Sequence, residues 1–292
     1  MTSELPDRDA LNRLMTRMRP RLHRYCARMV GSIFDGEDVV QEALAKAAEA
    51  LPSLIAIDKA ESWLFSIAHN TALDTLRRRK RQAEVTLEDE SPDLVTAAEE
   101  GSWIAATAAL ATIVRLPVMQ RSTVLLVDVL EYTLTETVAI LGITLPAAKA
   151  ALHRGRIRLK SLSAVGESEQ PALGAEERVR LRSYADRFNA RDFDALRDLL
   201  AEDVKLDLVS RVRLAGRKDV SVYFSRYSES RDWRFAPGLA EGRPVLLVSD
   251  PADTSDAVKY VVILDWVNGR IDGIRDFRYA TYAMDGLTVT RL

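Results

Sequence analysis

Apolar residues recur at helical spacing along the first half of the chain and at strand spacing along much of its last third. In residues 60–82, at about 100° per residue, Leu64, Ile67, Ala68, Thr71 and Ala72 share one side. Trp63, Asn70, Asp74, Arg77 and Arg81 gather on another. The same period predicts helices over 8–30, 35–51 and 60–82, punctuated by Gly31-Ser32 and Pro52-Ser53. An acidic, weakly periodic segment at 83–102 reads as a linker. Helical patterning then resumes over 103–162. Thr133-Leu134-Thr135-Glu136 is a capping box ahead of Val138, Ile140 and Leu141. Gly142-Ile143 follows as a tight turn, Thr144 can cap the next helix, and Pro146 is tolerated in that helix's first turn. A short helix, a glycine turn and a basic helix predict a helix-turn-helix.

Residues 163–174 are small and polar, a second linker. Beyond them the rhythm changes. Helices are predicted at 177–190, 193–201 and 217–227, with strand-like runs at 204–209, 233–235, 244–248, 257–266 and 270–279. Asn268-Gly269 between the last two runs is a strong signal for a two-residue type I′ hairpin turn. Helices followed by a meander predict an α+β domain whose curved antiparallel sheet wraps on helices.

Net charge changes the picture only locally. The chain has 292 residues, 47% of them hydrophobic and 29% charged, with a formal charge of −2. That balance argues against a uniformly basic DNA-coating protein. The five cations from Arg77 to Arg81 are nevertheless followed by seven acids and no base between Gln82 and Gly101. The stretch from Lys149 to Lys160 has five Lys or Arg and no acid. Charge this segregated points to local nucleic-acid contacts separated by acidic spacers. An aromatic, an amide and arginines on one helical stripe can stack on bases, bond their edges and neutralise phosphates. Cys26 is the only cysteine, which excludes a disulfide framework. No zinc-ligand spacing, glycine-rich phosphate loop or serine-histidine-aspartate set occurs, so no metal, cofactor or catalytic residue is expected. Without a secretory leader or a membrane-length apolar run, the expected place is the cytoplasm, with no membrane partner.

The segment from Asp35 to Glu42, followed by Ser62-Trp63-Leu64-Phe65-Ser66-Ile67-Ala68-His69-Asn70 and Asp74 to Arg79, resembles region two of the extracytoplasmic-function (ECF) sigma factors of bacterial RNA polymerase. In that family the first helix docks on the clamp helices of the largest subunit, and the second opens and reads the minus-ten element. The resemblance implies that Glu37, Asp38, Val40, Gln41 and Glu42 face the polymerase. Trp63, Asn70, Arg77 and Arg78 would face DNA. Leu116-Pro117 with Gln120-Arg121, the run from Leu134 to Thr144, and the run from Ala148 to Leu159 are similar to region four. That module reads the minus-thirty-five element and touches the flap of the second-largest subunit. It implies DNA contacts from Lys149, His153, Arg154 and Arg156. Leu145-Pro146-Ala147 replaces the family's usual helix opening, which shifts the expected binding towards phosphates.

Phe188 to Val204, with Gly216-Arg217-Lys218-Asp219-Val220, resembles the opening of SnoaL-like proteins of the nuclear-transport-factor-two superfamily, whose cone-shaped fold encloses a pocket. The expected chain is therefore multidomain: region two at 8–82, a linker at 83–102, region four at 103–162, a linker at 163–174 and a SnoaL-like regulatory domain at 175–292. A small-molecule ligand in that pocket is a further candidate partner. The three histidines, His23, His69 and His153, all lie outside the last domain, leaving Asp207, Asp265 and Asp276 as its acid–base candidates. Two other readings are a helix-turn-helix regulator that never joins polymerase and a SnoaL-like enzyme fused to a DNA-binding remnant.

Overall fold

Helices α1 (Arg8–Val30), α2 (Ile33–Ala50) and α3 (Ala60–Glu84) form within a few residues of where the apolar period puts them. The computed structural model describes residues 8–50, 60–84, 110–162 and 173–292, so the acidic segment from 85 and most of the second linker lie outside the described residues. Helices α1 and α2 approach closely because position 36 is glycine. A Cβ there would stand 2.5 Å from the Ala27 Cα. The turn between them is secured by His23, whose Nε2–H donates to the Ile33 carbonyl at 3.0 Å.

Among the described residues four further helices follow: α4 (Leu110–Ile113), α5 (Val118–Val124), α6 (Leu134–Leu141) and α7 (Leu145–Leu162), with a π turn at Leu125–Val129 extending α5. The capping box at the start of α6 is present. The Thr133 hydroxyl accepts from the Glu136 backbone N–H, and the Glu136 carboxylate accepts from the Thr133 backbone N–H. Gly142, at φ 64°, ends α6 in the left-handed conformation that turns the chain into α7. Helix α7 turns Ala148, Ala151, Leu152, Gly155 and Leu159 inward, a stripe at intervals of three and four residues. The described helices of 8–84 and 110–162 do not keep separate cores. Leu22, Tyr25, Leu64 and Phe65 join Leu125, Leu126, Tyr132 and Ile140 in one buried cluster.

Met1–Glu167 and Ser168–Leu292 are two compact units. The second contains α8 (Ala175–Asn189), α9 (Phe193–Asp198) and α10 (Arg217–Ser228). Its strands are β1 (Leu200–Leu208), β2 (Val212–Ala215), β3 (Arg234–Ala240), β4 (Arg243–Ser249), β5 (Val258–Val267), β6 (Arg270–Asp276) and β7 (Val289–Arg291). They form one sheet in the order β2-β1-β6-β5-β4-β3-β7. The sheet is mixed, which corrects the antiparallel expectation. β1 and β6 run parallel, with Leu206 opposite Ile274. β6 is reached only after a helix and four strands, so its direction against β1 is set by the whole path and not by a local turn. The predicted hairpin at Asn268-Gly269 is present, with φ of 51° and 77° at its two central residues. Glu241-Gly242, at 51° and 72°, makes a second hairpin of the same kind between β3 and β4.

Aromatic rings fill the space between these helices and the sheet. Phe188 stacks on Phe235 at 4.0 Å and meets Tyr227, Trp233 and Phe193 edge-on.

Candidate nucleic-acid interface

The five residues expected to face a partner from α2 divide sharply. Glu37 and Val40 are fully buried, and Glu37 is bound to Arg19 of α1. Both are therefore part of the α1–α2 packing and are not a contact surface in this structure. An ionised carboxylate without solvent needs such a partner, so the acid that the motif supplies holds the helix in place. Asp38 is exposed, and Gln41 and Glu42 are half-buried at the surface.

Glu42 is also tied to α3. Its carboxylate accepts from Lys46 Nζ at 2.8 Å and from Arg78 at 3.1 Å, bonds that hold it below the usual carboxylate range, Lys46 contributing most. The side chains expected to meet polymerase and DNA are thus neighbours. Together with Asp74, Arg77, Lys80 and Arg81 they line an open cleft of about 590 Å³ between α2 and α3.

Not every cation of the Arg77–Arg81 run points into that cleft. Arg79 turns inward, donating to Asp35 at 2.6 Å and to the Val30 carbonyl at 2.8 Å, and so fastens α3 to the α1–α2 turn. Arg77 pairs with Asp74 one turn earlier at 3.1 Å, with 70% of its side chain exposed. Asn70 is exposed, while Trp63 is half-buried against the helical core. Behind this face His69 is buried, and its Nδ1 and the Tyr25 hydroxyl are hydrogen-bonded to each other at 2.8 Å.

On α7, Lys149, His153 and Arg154 are exposed, as expected. Arg156 is committed within its own module. It donates to both oxygens of Asp128, at 3.1 Å from Nε and 2.6 Å from its terminal nitrogen. No local pattern in the sequence marks this pair, whose members stand 28 positions apart.

In the second unit the three acid candidates do not converge. The strand register sets Asp207 beside Arg275 and Asp265 beside Gly273, on one face of the sheet. Asp276 lies on the other face, fully buried. Its carboxyl accepts from the Tyr223 hydroxyl at 3.0 Å, the Tyr227 hydroxyl at 2.7 Å and the Arg278 backbone N–H at 2.8 Å. Burial pushes this acid above its ordinary range, against the effect of those three donors. Phe188 is packed among Tyr227, Trp233 and Phe235 between the helices and the sheet. A described cleft of about 400 Å³ lies among α8, β4 and β5, lined by Arg180, Arg243, Asp265 and Trp266 with five other residues. No group of three or more metal-binding side chains occurs among the described residues, and no single helix among them is long and apolar enough to cross a membrane.

Comparison with known proteins gives this geometry a context. The Sigma-70 region 2 family model matches residues 14–82. The chain is 34% identical over 156 residues to the ECF RNA polymerase sigma factor SigM of Mycobacterium tuberculosis, covering 53% of this chain and 78% of the relative. It is 28% identical over 173 residues to the ECF RNA polymerase sigma factor SigW of Bacillus subtilis, covering 53% of this chain and 89% of that one. The solved structure of the extracytoplasmic function sigma factor SigJ of Mycobacterium tuberculosis aligns over 91% of this chain and 95% of its own, at 19% identity and a TM-score of 0.35. A superposition that loose carries no argument.

Proposed function

The chain belongs to the ECF RNA polymerase sigma factors, and on that premise we propose that it binds core RNA polymerase and directs it to promoters, performing no chemistry itself. Asp38, Gln41 and Glu42 are the polymerase-facing residues of α2, opposite the clamp helices of the largest subunit. Trp63, Asn70, Arg77 and Arg78 serve the minus-ten element. Lys149, His153 and Arg154 serve the minus-thirty-five element, and region four meets the flap. Arg156 supports that surface through Asp128. The second unit, on its SnoaL-like resemblance, modulates the sigma modules.

One observation carries the reading. The family match falls on 14–82, and the same segment presents Arg77, Lys80 and Arg81 around an open cleft beside Glu42. A polyanion approaching α3 meets cations there, and α2 offers its acids to a protein partner alongside. Run-off transcription with core polymerase tests the proposal. The full chain is expected to yield promoter-dependent transcripts, and Gln41→Ala with Glu42→Lys to weaken core binding while the fold persists. Absence of stable association with core enzyme would refute it.

A further inference from the structure

Helix α8 carries two opposite charges that nothing around them uses. Glu177 and Arg180 are both exposed, and among the described residues they make no ion pair or hydrogen bond, with each other or with a neighbour. A spacing of three residues on a helix normally brings such a pair together. Elsewhere in this chain it does so: Asp194 and Arg197 close to 2.6 Å, and Asp74 and Arg77 to 3.1 Å. Both unspent groups line the cleft of about 400 Å³ among α8, β4 and β5.

The floor of that cleft is apolar, and the strand register gives the reason. Phe188 of α8 stacks on Phe235, which stands opposite Val248 of β4, and Val248 stands opposite Tyr260 of β5. Alternation along each strand then turns Pro244 and Leu264 towards the side that α8 covers. Leu181, the residue after Arg180, is buried and lines the same cleft. The half-buried indole of Trp266 completes this lining. It makes no ring contact with another aromatic among the described residues, unlike Trp233, which packs against Phe188, Tyr227 and Phe235. Asp265 also borders the cleft, but the same alternation turns its carboxylate to the other face, where a Cβ on Gly273 would stand 2.6 Å from its Oδ2. An apolar floor, a free flat ring and two opposite charges one helical turn apart are complementary to a molecule with a flat apolar body and a dipolar head.

We propose that this cleft binds a zwitterionic aromatic α-amino acid. Arg180 donates to the carboxylate, Glu177 accepts from the ammonium, and the ring lies on Trp266 over Leu181, Pro244 and Leu264. A carboxylic acid without the ammonium leaves Glu177 facing an anion, and an amine without the carboxylate leaves Arg180 facing a cation. Each is therefore bound less well than the amino acid. The site lies wholly within the second unit and does not rest on the sigma-factor reading.

Calorimetric titration of the full chain with L-phenylalanine tests the assignment, with hydrocinnamate and phenethylamine as probes that each lack one charge. Saturable binding of L-phenylalanine is expected, and each single-charge probe should bind about tenfold more weakly. Arg180→Gln should weaken L-phenylalanine by about tenfold and leave phenethylamine no weaker than before. Glu177→Gln should weaken L-phenylalanine by a similar factor and leave hydrocinnamate no weaker than before. Trp266→Leu should weaken all three probes; if that variant unfolds, the two exposed charge variants still decide. Absence of saturable L-phenylalanine binding, equal affinity for the three probes, or L-phenylalanine binding indifferent to both charge variants overturns the proposal. Core-polymerase binding is read in a separate assay, so failure of one assignment leaves the other standing.

Discussion

His69 sits in the motif that marks region two, yet its ring is buried and hydrogen-bonded to the Tyr25 hydroxyl. Burial, with a smaller contribution from Arg77, holds its imidazole down at about 4. A base whose folded-state value is lowered stabilises the fold above its unfolded value near 6.5, and that contribution is lost as pH falls towards 4. His23 is lowered by burial in the same direction. Thermal unfolding followed at pH 7.5 and pH 5 is therefore expected to show a loss of about 2 kcal/mol attributable to His69. His69→Gln should flatten that dependence, and an unchanged pH profile would remove the assignment. Asp276 works in the opposite sense. Its folded-state value is raised, so its contribution is present at low pH and declines as pH rises through that value. Asp276→Ala would leave the Tyr223 and Tyr227 hydroxyls without their acceptor, at a cost of about 2–4 kcal/mol in denaturant unfolding. Asp276→Asn keeps an acceptor, so it should cost less and abolish this part of the pH response.

Helix α7 carries two classes of cation that its sequence does not distinguish. Arg154 is exposed, whereas Arg156 is held bidentately by Asp128. Arg154→Ala is expected to reduce the salt slope of promoter binding by about one counterion and to act alike on all sequences. Arg156→Ala should instead lower the stability of the helices of 110–162, because it leaves Asp128, its side chain only 6% exposed, without its partner. Salt titrations of both variants separate these roles, and equal slopes for wild type and Arg154→Ala would count against a phosphate contact. On α3 the same distinction sets Arg79, spent on Asp35 and the Val30 carbonyl, apart from Arg77. Helical periodicity places a residue on a face, but it cannot say whether a long side chain reaches outward or folds back to a neighbouring helix.

Across the whole molecule the sigma modules and the second unit belong to separate compact bodies. If the second unit regulates, a chain ending at Gly166 should differ from the full chain in promoter-dependent run-off transcription. Equal transcript yields over a range of polymerase concentrations would remove that role. The sequence alone settled the local features: α1 to α3, the capping box of α6, the glycine that ends it and the Asn268-Gly269 hairpin. Each rests on propensity, spacing or a backbone conformation confined to a few consecutive residues, and such information is carried by neighbours in the chain. The strands β2 and β7 escaped notice because one is four residues long and largely exposed and the other three, too short for alternation to register. The parallel β1–β6 pair, the shared core of the helical unit, the burial of Glu37 and the bonds of Arg156, Arg79 and Arg121 were decided by tertiary structure. Several of these join residues tens of positions apart. Their partners are selected by the burial and hydrogen bonding of the completed fold, which no local period encodes.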